Sequence, residues 1–208
     1  MANNGPPNAP TKPVISQITS TSIFVTFADG SINGGVINER QIGVSHTTHV
    51  VDGDLFQSDR STAIAGLLPG THYYVWARTH NVLGYSPWSV AAEVTTYRVP
   101  DPPSPVILTN PTQQGVTFSY TDGASDGGTP ITEREIAYGN NPSTPESFVT
   151  YSGVIVWTGL LPGRTYYFWG RVRNSVGWSP YSQVRSIRTI AGARFNIGGT
   201  WKEAIPYV

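Results

Sequence analysis

The side chains best suited to chemistry are few, and most sit in the first half of the chain. His46-Thr47-Thr48-His49, followed by Asp52 and Asp54, holds the donor types of a divalent-metal site. Its spacing works against that use. An i,i+3 pair shares a face on a helix but does not converge on a strand or loop. Solvated loop residues and no metal are therefore expected here. Nucleophilic catalysis has little to build on. All four histidines, His46, His49, His72 and His80, precede residue 81, and no Gly-x-Ser-x-Gly turn, triad-like spacing or pair of acids in a cleft accompanies them. The chain has no cysteine, which excludes disulfides, thiol chemistry and Cys-ligated metal. The expectation is a non-enzymatic protein with no catalytic residues and no cofactor.

Recognition chemistry is better represented. Tyr74-x-Trp76-x-Arg78 and Tyr167-x-Trp169-x-Arg171-x-Arg173 put two aromatics and one or two guanidiniums at alternate positions. The runs Tyr85-Ser86-Pro87-Trp88-Ser89 and Trp178-Ser179-Pro180-Tyr181-Ser182 add further aromatics. Alternate residues of a strand share a face, so the stripes are expected to be exposed, with Trp169 outward. Two outcomes follow. The arginine planes stack on the rings as a ladder, at about 0.5–1 kcal/mol per exposed contact. Otherwise the stripe is a binding face for sugar rings or a partner's sheet. A charge asymmetry accompanies it: between Phe148 and Trp201 there is no acidic residue, but there are six arginines, 164, 171, 173, 185, 188 and 194. Such a patch suits an acidic neighbouring subunit or an anionic cell-wall polymer.

The elements that position these residues recur. Gly66-Leu67-Leu68-Pro69-Gly70 through Ser89 returns 93 positions later as Gly159-Leu160-Leu161-Pro162-Gly163 through Ser182. A period of this length is that of a whole small domain. Leu-Pro-Gly marks a turn, after which the chain alternates. Tyr73, Val75, Ala77 and Thr79 form one side, and Tyr74, Trp76, Arg78 and His80 the other. In the second copy Tyr166, Phe168, Gly170 and Val172 face inward. The same period-2 reading gives strands over Val14 to Gln17, Ile23 to Phe27, Ile37 to Ser45, Ala63 to Leu67 and Val90 to Thr96. Asp29-Gly30 and Asp122-Gly123 open the loops between the second and third strands.

The 208 residues accommodate two such domains, and the 22 glycines and 17 prolines suit short strands and many turns. We expect a flexible leader over 1–11, domains over 12–97 and 106–190, a Pro-rich linker over 98–105 that makes the pair a rod, and a C-terminal segment over 191–208. The formal net charge is zero, and no apolar run approaches the ~20 residues of a membrane span, so neither nucleic-acid binding nor membrane insertion is expected. Residues 1–7 show no signal-peptide pattern.

Leu68 to Tyr73 and Leu161 to Tyr166 resemble the Leu-x-Pro-Gly-x-x-Tyr turn of the fibronectin type III family, and Asn-x-x-Gly-x-Ser-x-x-Ser after each resembles that family's next turn. The resemblance implies an all-β fold of two tandem fibronectin type III, immunoglobulin-like β-sandwiches. It makes Tyr73 and Tyr166 tyrosine corners, whose hydroxyls bond back to the preceding backbone. Two departures repeat. Phe27 and Tyr120 stand where the family usually has Trp, and Arg40 and Arg134 where it often has Tyr. A half-buried Arg needs a partner, or a stem that snorkels its charge to water. The aromatic–Arg stripe is also similar to the Trp–Arg ladder beside the WSxWS motif of cytokine receptors, whose disulfides this chain lacks.

Residues 191–208 lie beyond both copies, and Gly198-Gly199 between two short runs signals a β-hairpin. Phe195, Ile197, Trp201, Ile205 and Tyr207 would supply its assembly contacts. The segment resembles the Gly-Thr-Trp-Lys ends and repeats of tail proteins of long-tailed bacteriophages, particularly those of actinobacterial hosts. This implies a minor tail or tail-tip subunit, made in the host cytoplasm, oligomeric with other virion tail subunits, and reaching a host cell-surface polysaccharide. The alternative is a carbohydrate-binding adhesion module of a bacterial or phage surface protein.

Overall fold

The computed structural model describes residues 4–49, 55–192, 194–197 and 200–203. Every regular element among them is a strand, and the chain divides into two compact units, 1–98 and 99–208. No helix among the described residues is long and apolar enough to cross a membrane.

In the first unit, β1 (Val14–Ser16), β2 (Ser22–Thr26) and β5 (Ser61–Ala65) form one antiparallel sheet in the order β1-β2-β5. The second sheet runs β4 (Leu55–Gln57), β3 (Glu39–Ser45), β6 (His72–Asn81), with β7 (Gly84–Tyr85) and β8 (Ala92–Thr95) both pairing along β6. The core joins the two sheets. Ile23, Val25 and Ile64 from the first meet Ile42, Val44, Tyr73, Val75 and Val94 from the second. Strand β5 stops at Ala65 rather than reaching Leu67, because Gly66 takes φ +81, a conformation that ends an extended run.

The second unit repeats the plan. Strands β9 (Ile107–Thr109), β10 (Val116–Ser119) and β13 (Ile155–Trp157) form a sheet in the order β13-β10-β9. Strands β11 (Glu133–Gly139), β12 (Ser147–Thr150), β14 (Thr165–Arg173) and β15 (Arg185–Arg188) form the other in the order β12-β11-β14-β15. Val116, Phe118, Ile136, Phe168 and Val172 fill its core. The C-terminal segment holds β16 (Arg194–Ile197) antiparallel to β17 (Thr200–Glu203), with Phe195 across from Lys202 and Asn196 across from Trp201 in the backbone register. Ile205 and Tyr207 lie outside the described residues.

Each Leu-Pro-Gly turn is closed in the same way. The hydroxyl of Tyr73 accepts a hydrogen bond from the Leu68 amide at 2.9 Å, and that of Tyr166 accepts one from the Leu161 amide at 2.9 Å. Thr96 and Thr189 donate their hydroxyls to the carbonyls of Leu68 and Leu161. Tyr120 fits because Gly170 faces it: a Cβ there would lie 3.0 Å from the tyrosine ring. The Tyr120 hydroxyl donates to the Arg171 carbonyl at 3.1 Å, and burial holds this phenol well above its ordinary pKa.

The stretch expected as a flexible leader is instead fastened from residue 5 onward. The Gly5, Asn8 and Thr11 amides donate to the carbonyls of Asn33, Ser31 and Ala28, and Pro7 and Pro10 are buried. The stretch expected as a linker repeats this in the second unit. The Asp101 and Ser104 amides donate to Ser125 and Thr121, and Pro100 and Pro103 are buried.

Among the described residues one core position is imperfect. Thr79 is fully buried, and its hydroxyl is without a hydrogen-bond partner. The equivalent residue 93 positions on is Val172, also fully buried. A buried hydroxyl without a partner costs about 1–3 kcal/mol. Thr79→Val should therefore stabilise the first sandwich by about 1 kcal/mol, read as a raised denaturant midpoint at unchanged slope.

Candidate functional site

The edge of β6 is only partly covered by strands: β8 pairs with His72 to Val75, and β7 with His80 and Asn81. Two serines cover the gap. The Ser89 amide donates to the Ala77 carbonyl at 2.8 Å while its hydroxyl accepts from the Ala77 amide at 3.0 Å. Ser86 does the same for Thr79, at 2.8 and 3.1 Å. Ser182 and Ser179 repeat the arrangement on Gly170 and Val172 of β14. Buried Asn81 and Asn174 tie the following turn to the loop between the second and third strands, donating to the carbonyls of Ile32 (3.0 Å) and Asp126 (2.7 Å).

These staples fix the aromatics that follow each strand beside its arginine stripe. The Arg78 guanidinium lies 4.1 Å from the Tyr85 ring centroid and 4.5 Å from that of Trp88, and its Nε donates to Gln41 at 2.8 Å. Arg171 lies 4.5 Å from Trp178, 4.9 Å from Tyr181 and 5.1 Å from Phe148, with Nε donating to Glu135 at 2.6 Å. Arg173 stands 5.7 Å from Trp178 and donates to Glu133 at 2.8 Å. The stripe is therefore a ladder stacked on itself.

The two tryptophans of the stripe, expected to be exposed, are buried. Trp76 is 8% accessible and Trp169 6%, although neither belongs to the inner core. Their cross-strand neighbours, Gly43 and Ala137, leave room for an indole to lie against the sheet. Tyr74 stacks on Trp76 at 6.0 Å, and both Tyr74 and Tyr167 are half-buried.

Arg40 and Arg134 do not simply snorkel. Each forks onto an aspartate of the loop after the second strand. Arg40 donates Nε and Nη2 to the two oxygens of Asp29, at 2.8 and 2.7 Å, and Arg134 does likewise to Asp122. Arg60 adds a second guanidinium to Asp29, at 2.8 Å. The hydrogen bond from Arg40 and then that from Arg60 hold the Asp29 carboxyl below the usual carboxylate range, against the opposing effect of burial.

Alternation along β11 puts Glu133 and Glu135 together, a pairing of acids the sequence reading missed. With Arg134, Tyr151 and Trp178 they line a cleft of about 360 Å³ rimmed by Thr132, Thr150 and Ser152. Each carboxylate is ion-paired with an arginine, Glu135 with Arg171 at 2.6 Å and Glu133 with Arg173 at 2.8 Å. A shallower cleft of about 470 Å³ occupies the matching place in the first unit, lined by Glu39, Arg40, Gln57, Ser58 and Asp59 among others. Of the histidine cluster, His46 packs its ring 4.5 Å from that of Tyr73, and Asp52 and Asp54 lie outside the described residues. Among the described residues no three His, Asp or Glu are grouped to hold a metal ion.

Residues 8–95 match the family model of the fibronectin type III domain. The chain is 32% identical to contactin of Drosophila melanogaster over 138 residues, which are 60% of this chain and 10% of that protein. It thus spans about 10% of the length of the curated relative it matches. Among solved structures it is similar to the chicken CNTN1 FN1–FN3 domains, with a TM-score of 0.45 and 20% identity over 90% of this chain and 68% of that one.

Two outcomes follow from this geometry. Trp169→Ala should destabilise the second sandwich by about 3 kcal/mol, as truncation of a buried Trp does, and calorimetry of the full chain should show the loss. The Asp29 pair makes the first sandwich acid-sensitive. With its folded pKa depressed, its contribution is complete above the unfolded value of about 4 and disappears as pH falls through the folded one. Asp29→Asn should lower stability at pH 7 and flatten the acid limb of the stability–pH curve.

Proposed function

We propose that this chain, whose residues 8–95 are a fibronectin type III domain and whose second sandwich repeats the plan, is a non-enzymatic structural and adhesion module: a minor tail or tail-tip subunit of a long-tailed bacteriophage. The carrying observation is how the stripe is used. Arg78, Arg171 and Arg173 are each committed to an aromatic ring and to an acceptor on the neighbouring strand, which is the pattern of a brace. The similarity to contactin, 32% identity over 138 residues, supports a module over an enzyme.

Assembly is assigned to the C-terminal segment. Among the described strands β16 and β17 pair only with each other, and a two-stranded unit is marginal in water without a surface to pack on. Gly199-Thr200-Trp201-Lys202 carries the resemblance to phage tail proteins, and Phe195, Ile197, Trp201, Ile205 and Tyr207 would furnish the apolar contact with neighbouring tail subunits. The subunit would be made in the host cytoplasm and act in the virion tail. One observation favours the second reading, a carbohydrate-binding adhesion module: the cleft beside Trp178, whose charges are internally balanced.

Removing residues 191–208 should leave both sandwiches folded, with unchanged thermal transitions, while abolishing self-association and incorporation into phage particles. Sedimentation of the truncated protein, and its recovery in purified particles, check this. Unaltered association and incorporation would refute the assembly assignment.

A further inference from the structure

We infer that the cleft of the second sandwich is a saccharide site that takes one neutral pyranose unit. The inference rests on the adhesion part of the proposed function and moves it away from the stripe. The stripe's own indoles are closed to a ligand: Trp76 is 8% accessible and Trp169 6%. The cleft beside them offers what a sugar ring needs.

Its charges cancel locally. Glu133 holds Arg173, Glu135 holds Arg171, and Arg134 is forked onto Asp122. A strongly charged ligand gains little from such a site, whereas a neutral ligand rich in hydroxyls meets donors and acceptors side by side. Arg171 uses Oε2 of Glu135, and Arg173 uses Oε1 of Glu133, so a sugar hydroxyl would donate to the other oxygen of each carboxylate. Because the ion pairs already fix these side chains, ordering them on binding costs little. Exposed Thr132, Thr150 and Ser152 form the rim, half-buried Trp178 gives an apolar wall for the ring's C–H groups, and buried Tyr151 closes the floor. The volume, about 360 Å³, falls at the small end of the range for small-molecule sites, roughly 300–1,000 Å³.

The first sandwich supplies an internal control. The residues matching Tyr151 and Trp178 are Ser58 and Tyr85. The Tyr85 hydroxyl is tied to Glu39 at 2.9 Å, and neither an aromatic floor nor an aromatic wall lines that cleft. Binding therefore belongs to the second sandwich alone.

Saturation-transfer NMR on the full chain tests this with cellotetraose, N-acetylchitotetraose and a mannotetraose as neutral probes. At least one should receive saturation. Its Kd should rise roughly tenfold or more in Glu133→Gln and in Thr150→Trp, a shift of about 1.4 kcal/mol, with thermal midpoints unchanged because both side chains lie at the surface. Glu39→Gln, the matching change in the first sandwich, should leave Kd as it was. The chain lacking 191–208 should bind the same probe equally well, which separates this inference from the assembly assignment. It is overturned if no neutral probe receives saturation, if binding survives both cleft variants, or if Glu39→Gln weakens it as much.

Discussion

A strand edge that must not be left bare governs much of this architecture. Buried amides and carbonyls need partners, and the long strand of each sandwich outruns the strands that flank it. The chain answers with serine. In each unit two serines spaced three apart donate an amide and accept with a hydroxyl on alternate residues of the edge, Ala77 and Thr79 in one, Gly170 and Val172 in the other. A side chain thereby takes a place that a ladder amide or carbonyl usually fills. The segment lies against the strand without being one, and its intervening residues are free to carry rings toward the arginines.

That constraint explains why the aromatics serve as a brace. Once Ser86 and Ser89 are fixed, Tyr85 and Trp88 flank Arg78 at 4.1 and 4.5 Å, and the same logic brings Trp178 and Tyr181 to Arg171. Each guanidinium then satisfies its in-plane donors on the neighbouring strand, with Gln41 in the first unit and Glu135 in the second. Stacking and hydrogen bonding use different surfaces of the same group, so the two contributions do not compete.

Much of this was legible in the sequence. The 93-residue recurrence, the Leu-Pro-Gly turns and the period-2 runs marked two all-β sandwiches, and strand alternation assigned the inward row correctly. Alternation does not report what lies across a residue on the next strand. Trp76 and Trp169 were therefore expected in the open, while Gly43 and Ala137 opposite them let the indoles settle onto the sheet. The fastening of residues 5–11 also had a sequence signal. Pro7, Pro10 and Thr11 match Pro100, Pro103 and Ser104 at the same 93-residue offset, and composition alone had marked both stretches as flexible or extended. Arg40 and Arg134 recur with Asp29 and Asp122, a co-occurrence that could have named their partners. The cleft was not legible, because its walls come from three segments joined only by folding.

The two copies keep the brace and differ beside it. Every position of the serine staple recurs, as does the arginine it serves. Three substitutions next to it act together: Gln41 gives way to Glu135, Ser58 to Tyr151 and Tyr85 to Trp178. The first turns a neutral hydrogen bond to the ladder arginine into an ion pair, at 2.6 Å. The second puts an aromatic ring on the cleft floor and stacks it on Tyr120 at 4.3 Å, where the first sandwich closes the same point with backbone alone, the Phe27 amide donating to the Arg60 carbonyl. The third raises a wall that Tyr85 does not, since its hydroxyl is drawn to Glu39. Both copies thus share one bracing arrangement, while the second alone has an aromatic floor, a tryptophan wall and a second carboxylate, Glu135, at a single edge.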